Sequence, residues 1–143
     1  MKNTIFLFLL LLSLSNCVKK EDSKNIEGTW EMVYAKTIEG DSIKLKDLSN
    51  TTFIKIINKS HFAFFNQENN GTANFYGGAG TYTLKGDDYT ETLNFTAVEA
   101  IKKHQFSFKI EIKGDTLIQS GIEKVEAAGM DRYIVEKYIK LKK

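Results

Sequence analysis

The stretch Gln105–Lys113, QFSFKIEIK, alternates without a break. Phe106, Phe108, Ile110 and Ile112 fall on one parity, and Ser107, Lys109, Glu111 and Lys113 on the other. A period of two puts one face in a dry interior and the other in water, which a strand can do and a helix of period 3.6 cannot. The same period dominates the chain from Ile26 onward. Gly28–Tyr34 places Trp30, Met32 and Tyr34 on one face, and Thr52–Ile57 (TFIKII) meets His61–Phe65 (HFAFF) across the polar turn Asn58-Lys59-Ser60. Thr81–Lys85 and Tyr89–Phe95 form a second hairpin across Gly86-Asp87-Asp88, with Leu93 and Phe95 marking its inward face. Gly114-Asp115 turns QFSFKIEIK into Thr116–Ser120, and Tyr133–Leu141 is the last strand. Helical signal is confined to about a turn each in Val98–Lys103 and Glu123–Met130. About eight short, hairpin-linked strands predict an all-β domain, a single antiparallel up-and-down β-barrel whose closure removes exposed edges.

The first residues do not share this pattern. Met1-Lys2-Asn3 is a short basic start, and Ile5–Leu14 is a run of aliphatic residues and phenylalanine. That run is far short of the roughly 20 residues a spanning helix needs, so it reads as a secretory signal. Leu14-Ser15-Asn16-Cys17 then resembles a lipobox, the acylation site of bacterial lipoproteins, and Cys17 is the sole cysteine. The resemblance implies cleavage before Cys17, a diacylglyceryl group on its thiol and partnership with a membrane. Residues 1–16 are accordingly read as signal peptide, 17–25 as acylated cysteine and polar tether, and 26–143 as the barrel. The expected location is the bacterial cell envelope, anchored at the outer membrane, with the membrane face left open.

A formal charge of +2 over the whole chain excludes the basic excess of a nucleic-acid-binding domain. Lys137, Lys140, Lys142 and Lys143 make a basic end suited to a solvated strand terminus.

Several segments of the remaining chain resemble the lipocalin-like lipoproteins of bacterial envelopes. These are Gly28-Thr29-Trp30 at the start of the first strand, HFAFF, the hairpin GGAGTYTL with Tyr89-Thr90-Glu91, Gly114-Asp115-Thr116-Leu117, and the closing Glu136-Lys137-Tyr138-Ile139-Lys140. The resemblance implies a barrel holding a small apolar or amphipathic ligand. It also implies that Trp30 closes the floor beneath Lys140.

Candidate chemistry is sparse. Gly77, Gly78 and Gly80 invite a phosphate-loop reading, but strand rather than helix follows them, so they read as a bulge or close approach leading into a hairpin. Glu91 shares a face with Tyr89 and Leu93, which predicts an inward carboxylate in need of a partner. Ile134, Glu136 and Tyr138 share one parity of the last strand, and the opposite parity is equally apolar, so its facing stays open. Two inward carboxylates serve acid/base chemistry, a ligand's polar head, or structure alone. With His61 and His104 the only histidines, no metal or cofactor is expected, and no catalytic residue is assigned beyond a low-ranked acid/base role for Glu91. A ligand pocket framed by Trp30, Tyr82, Glu91 and Phe108 is the first expectation, in a binding protein and not an enzyme. The alternative is a filled barrel that meets an envelope protein through the loop Asn66–Gly80.

Overall fold

The computed structural model describes residues 24–142. The signal segment and Cys17 lie outside the described residues. Nine strands follow in chain order: β1 (Gly28–Glu39), β2 (Ser42–Leu45), β3 (Thr51–Ile57), β4 (His61–Glu68), β5 (Tyr76–Lys85), β6 (Asp88–Thr96), β7 (Gln105–Lys113), β8 (Thr116–Val125) and β9 (Met130–Lys140). Every pairing is antiparallel, neighbour to neighbour from β3 to β9, and β9 returns to β1 from Trp30↔Lys140 to Ile38↔Tyr133. That last pairing closes an eight-stranded barrel from β1 and β3–β9, the all-β up-and-down architecture the alternation predicts. β2 is an addition. The first residues of β1 pair with β3 and its last with β2, which leaves β2 as a flap at one rim with Ile43 and Leu45 exposed.

The barrel has a closed end and an open one. At the closed end Trp30 is 2% exposed, its indole Nε1 donates to the Ile26 carbonyl at 2.9 Å, and Lys140 Nζ lies 5.2 Å from its ring. The floor implied by the lipocalin resemblance is therefore present, with a cation–π contact worth about 0.5–2 kcal/mol. Short 3-10 turns at Glu99–Ile101 and Glu126–Ala128 stand at the opposite, open end.

Two bulges correct the simple alternation. The β1–β9 register shifts between Met32 and Tyr34, so Ala35 and not Tyr34 follows Met32 into the interior. Tyr34 pairs with outward Lys137, whose Nζ lies 5.1 Å from its ring. The β5–β6 register shifts between Ala79 and Gly80, which carries Phe95 to the outer wall at 70% exposure instead of the core. An extra residue reverses every side chain beyond it, so strict parity fails after each bulge.

The glycines of β5 lie inside the strand and not at its approach: Gly77, Gly78 and Gly80 pair with Phe65, Phe64 and Phe62 of β4. Their role is close approach. A Cβ on Gly78 would stand 2.7 Å from the Phe64 ring, and one on Gly80 would stand 1.8 Å from the Thr92 carbonyl oxygen.

Candidate functional site

Along β3 the inward residues are Phe53, Lys55 and Ile57, all buried. Lys55 is only 3% exposed, and a charge there is tolerable only if it is paired. Its Nζ lies 2.5 Å from Glu91 Oε1 on β6 and donates to Gln119 Oε1 on β8 at 2.7 Å. The rings of Tyr89, Phe62 and Tyr138 surround the ammonium at 5.3, 5.6 and 5.8 Å. Aromatic faces supply negative quadrupole where water is excluded, so this cage completes the cation's environment. Glu91 is the inward carboxylate predicted from sequence, and Lys55 is its partner.

A second carboxylate stands nearby. Glu136 on β9 accepts a hydrogen bond from the Tyr138 hydroxyl at 2.6 Å and forms no ion pair among the described residues. Burial raises its pKa above the ordinary carboxylate range, opposed by the charge of Lys55 and the Tyr138 hydrogen bond. Burial also raises the pKa values of Tyr138 and Tyr89, helped by Glu136 and Glu91 respectively, so both phenols stay neutral. The Tyr89 hydroxyl is fully enclosed and finds no hydrogen-bond partner among the described groups. Nearer the open end Arg132 Nε of β9 donates to Glu123 Oε2 of β8 at 2.6 Å, on facing register positions.

Of these groups Lys55, Glu91, Gln119, Glu123, Arg132, Glu136 and Tyr138 line a cavity of about 270 Å³ that opens at the end marked by the 3-10 turns. Phe53, Phe64, Leu93, Phe106 and Phe108 make its apolar wall, while Lys55, Glu91, Gln119, Glu123, Arg132 and Glu136 reach it with polar atoms. A dry cavity of roughly 150 Å³ holds benzene, so this one has room for a single-ring molecule with a short polar arm. Small eight-stranded barrels are either filled by side chains or hold one small ligand, and this interior keeps that space. Among the described residues no three His, Cys, Asp or Glu side chains group as metal ligands.

Comparison with known proteins bears on this barrel as a whole. A family model described as a domain of unknown function, DUF4488, matches residues 25–143. The chain belongs to the DUF4488 family. A crystal structure of an uncharacterized protein from Bacteroides eggerthii DSM 20697 superposes on this DUF4488 domain with a TM-score of 0.51 at 17% identity. The match covers 80% of this chain and 98% of that one. At that identity the likeness is one of fold. Curated proteins show no match to the chain.

The four residues expected to frame a pocket in the DUF4488 barrel are divided between its two ends. Glu91 and Phe108 line the cavity. Trp30 lies in the floor beyond its lining. Tyr82 lies at the closed end too, its hydroxyl donating to the Asn58 carbonyl at 2.6 Å and its ring 5.1 Å from Tyr89. Lys55, Gln119 and Glu123 were not singled out by sequence. In TFIKII both parities are apolar once Lys55 is set aside, so a lysine there reads as outward. Only the pairing of β3 with β1 and β4 turns Phe53, Lys55 and Ile57 inward.

Proposed function

We propose that this DUF4488 chain is a lipid-anchored envelope protein whose barrel binds one small apolar or amphipathic molecule through its open end. The observation that supports the binding reading is the cavity of about 270 Å³, in which aromatic walls face convergent polar side chains. Pockets of this kind bury a ligand's apolar body and orient it with a few fixed polar groups. The anchor rests on the lipobox resemblance around Cys17. Acyl chains contribute about 0.8 kcal/mol per buried methylene, enough in pairs to hold a domain at a bilayer.

Native mass spectrometry of the full-length protein purified from membranes reads both halves of the proposal. The expected protein mass begins at an acylated Cys17, and a co-purifying small molecule is released on activation. A barrel that is empty in repeated preparations and takes up no small apolar probe overturns the binding reading. An intact, unmodified Cys17 overturns the anchor.

A second reading has its own support. Outward Ile56, Ala63, Ala79 and Phe95 lie side by side across β3, β4, β5 and β6, with Ile54 and Phe65 paired one step along. Phe95 is 70% and Ile56 42% exposed, an apolar strip on the outer wall suited to contact with another protein. That favours an interaction module, with the barrel wall as a contact surface beside the loop Asn66–Gly80, where Phe75 is also exposed.

A further inference from the structure

The charges already inside the barrel constrain what else can enter it. Five ionisable side chains other than tyrosine line the cavity: Lys55, Arg132, Glu91, Glu123 and Glu136. Lys55 neutralises Glu91 at 2.5 Å, and Arg132 neutralises Glu123 at 2.6 Å. Among the described residues Glu136 is left with a phenol and no cation in salt-bridge contact. We propose that the cavity takes a small organic cation, a primary or secondary ammonium on an aromatic or apolar body, with Glu136 as its counter-ion; this rests on the cavity being a ligand site.

Three features of the lining agree. Phe53, Phe64 and Phe106 line the cavity with aromatic surface, against which an ammonium and the ring it carries can settle. Lys55, the deepest cation, already has Glu91 and Gln119 as partners, so an anion reaching it must displace one of them. An anion would also lie among three carboxylates, whereas a cation completes the pairing that Glu136 lacks. The groups facing Glu136 are Lys55 from β3, Glu91 from β6, Glu123 and Gln119 from β8, and Tyr138 with Arg132 on its own strand; β1 offers only Ala35 opposite. Of these, Lys55 is the one that favours ionisation by its charge, and burial outweighs it. Glu136 therefore holds a proton more readily than an exposed carboxylate does, and an entering ammonium competes with that proton for the site.

Titration of the full-length protein with three probes of one shape, 2-phenylethylamine, 2-phenylethanol and phenylacetate, tests this by calorimetry from about pH 5 to about pH 8, where the amine stays protonated. The amine should bind at least about tenfold tighter than the alcohol at the upper end, the scale of one charge-assisted contact. That preference should shrink as the pH falls and Glu136 takes up its proton. Glu136→Gln should erase the preference and its pH dependence while the alcohol still binds. Should that variant not fold, the pH dependence of the unaltered protein decides alone. Equal binding of amine and alcohol overturns the cation proposal and leaves the cavity reading standing. So does tightest binding of phenylacetate, lost in Arg132→Gln, which would place an anion at the open end. If none of the three binds but toluene does, the charge proposal alone falls. If toluene is excluded as well, the ligand site falls with it.

Discussion

Lys55 and Glu91 meet 2.5 Å apart with side chains only 3% and 9% exposed, so neither charge has water to fall back on. Removing one partner of such a pair strands the other, at a cost of about 3–5 kcal/mol, whereas replacing both by apolar groups is often neutral or better. Glu91→Leu is therefore expected to lose about that much stability in urea denaturation, and Lys55→Met/Glu91→Leu to recover most of it. A double variant as unstable as the sum of its parts would show that the pair does not act as a unit. Of the two partners, only Glu91 was legible in sequence, because Leu93 two positions on fixes its face. Lys55 was hidden by the apolar Ile54 and Ile56 on the opposite parity, and a lone lysine among hydrophobics reads as outward.

Within elements, the glycines of β5 and those of the turns answer to different forces. Gly80 has no room for a side chain, since its Cβ would meet the Thr92 carbonyl oxygen at 1.8 Å and that atom belongs to the backbone of β6. Gly114 in the β7–β8 turn has open space around it and a left-handed backbone at φ +59°. Gly80→Ala has to push two strands apart at the bulge and is expected to cost about 3 kcal/mol or more, at the severe end for one methyl group. Gly114→Ala carries only the left-handed penalty of about 1–2 kcal/mol. Denaturant midpoints of the two variants check the order, and equal losses would refute close packing of β5 on β6. The glycine triplet was visible in sequence as a feature of sheet and not of phosphate binding. Its place inside the strand was not, because the bulge depends on how β6 lies against it. The same bulge removed Phe95 from the core, and the one in β1 turned out Tyr34.

For the molecule as a whole, the interior couples stability to pH through Glu136. Its folded-state pKa is raised by burial above the ordinary 4.5, so the native barrel binds that proton more tightly than the unfolded chain does. The contribution is fully present below about 4.5 and is lost as pH rises through the folded value. Glu136→Gln keeps an acceptor for Tyr138 and removes the titration. The variant should therefore gain stability relative to the unaltered protein as pH increases from about 4.5 towards neutrality, read from thermal midpoints at matched ionic strength. Asp47 and Asp115, whose pKa values are lowered by Ser49 and Lys142, act in the opposite sense, but they are common to both proteins and cancel in the difference. A difference that does not vary with pH would mean that Glu136 titrates normally.

The sequence by itself determined the all-β class, the hairpin order and the inward face of β7, because alternation and turn chemistry are local and each strand carries its own. It also determined that a carboxylate at Glu91 would need a partner, since the cost of burying a lone charge does not depend on the fold. Which face of β9 turned inward, who paired with Glu91, and where Phe95 and Tyr34 went were decided only by tertiary structure. Those outcomes depend on bulges and on register between strands far apart in the chain, where apolar residues on both parities satisfy local rules equally well. The cavity belongs to the same class of fact: it is space left among the strands from β3 to β9, and no single strand encodes it.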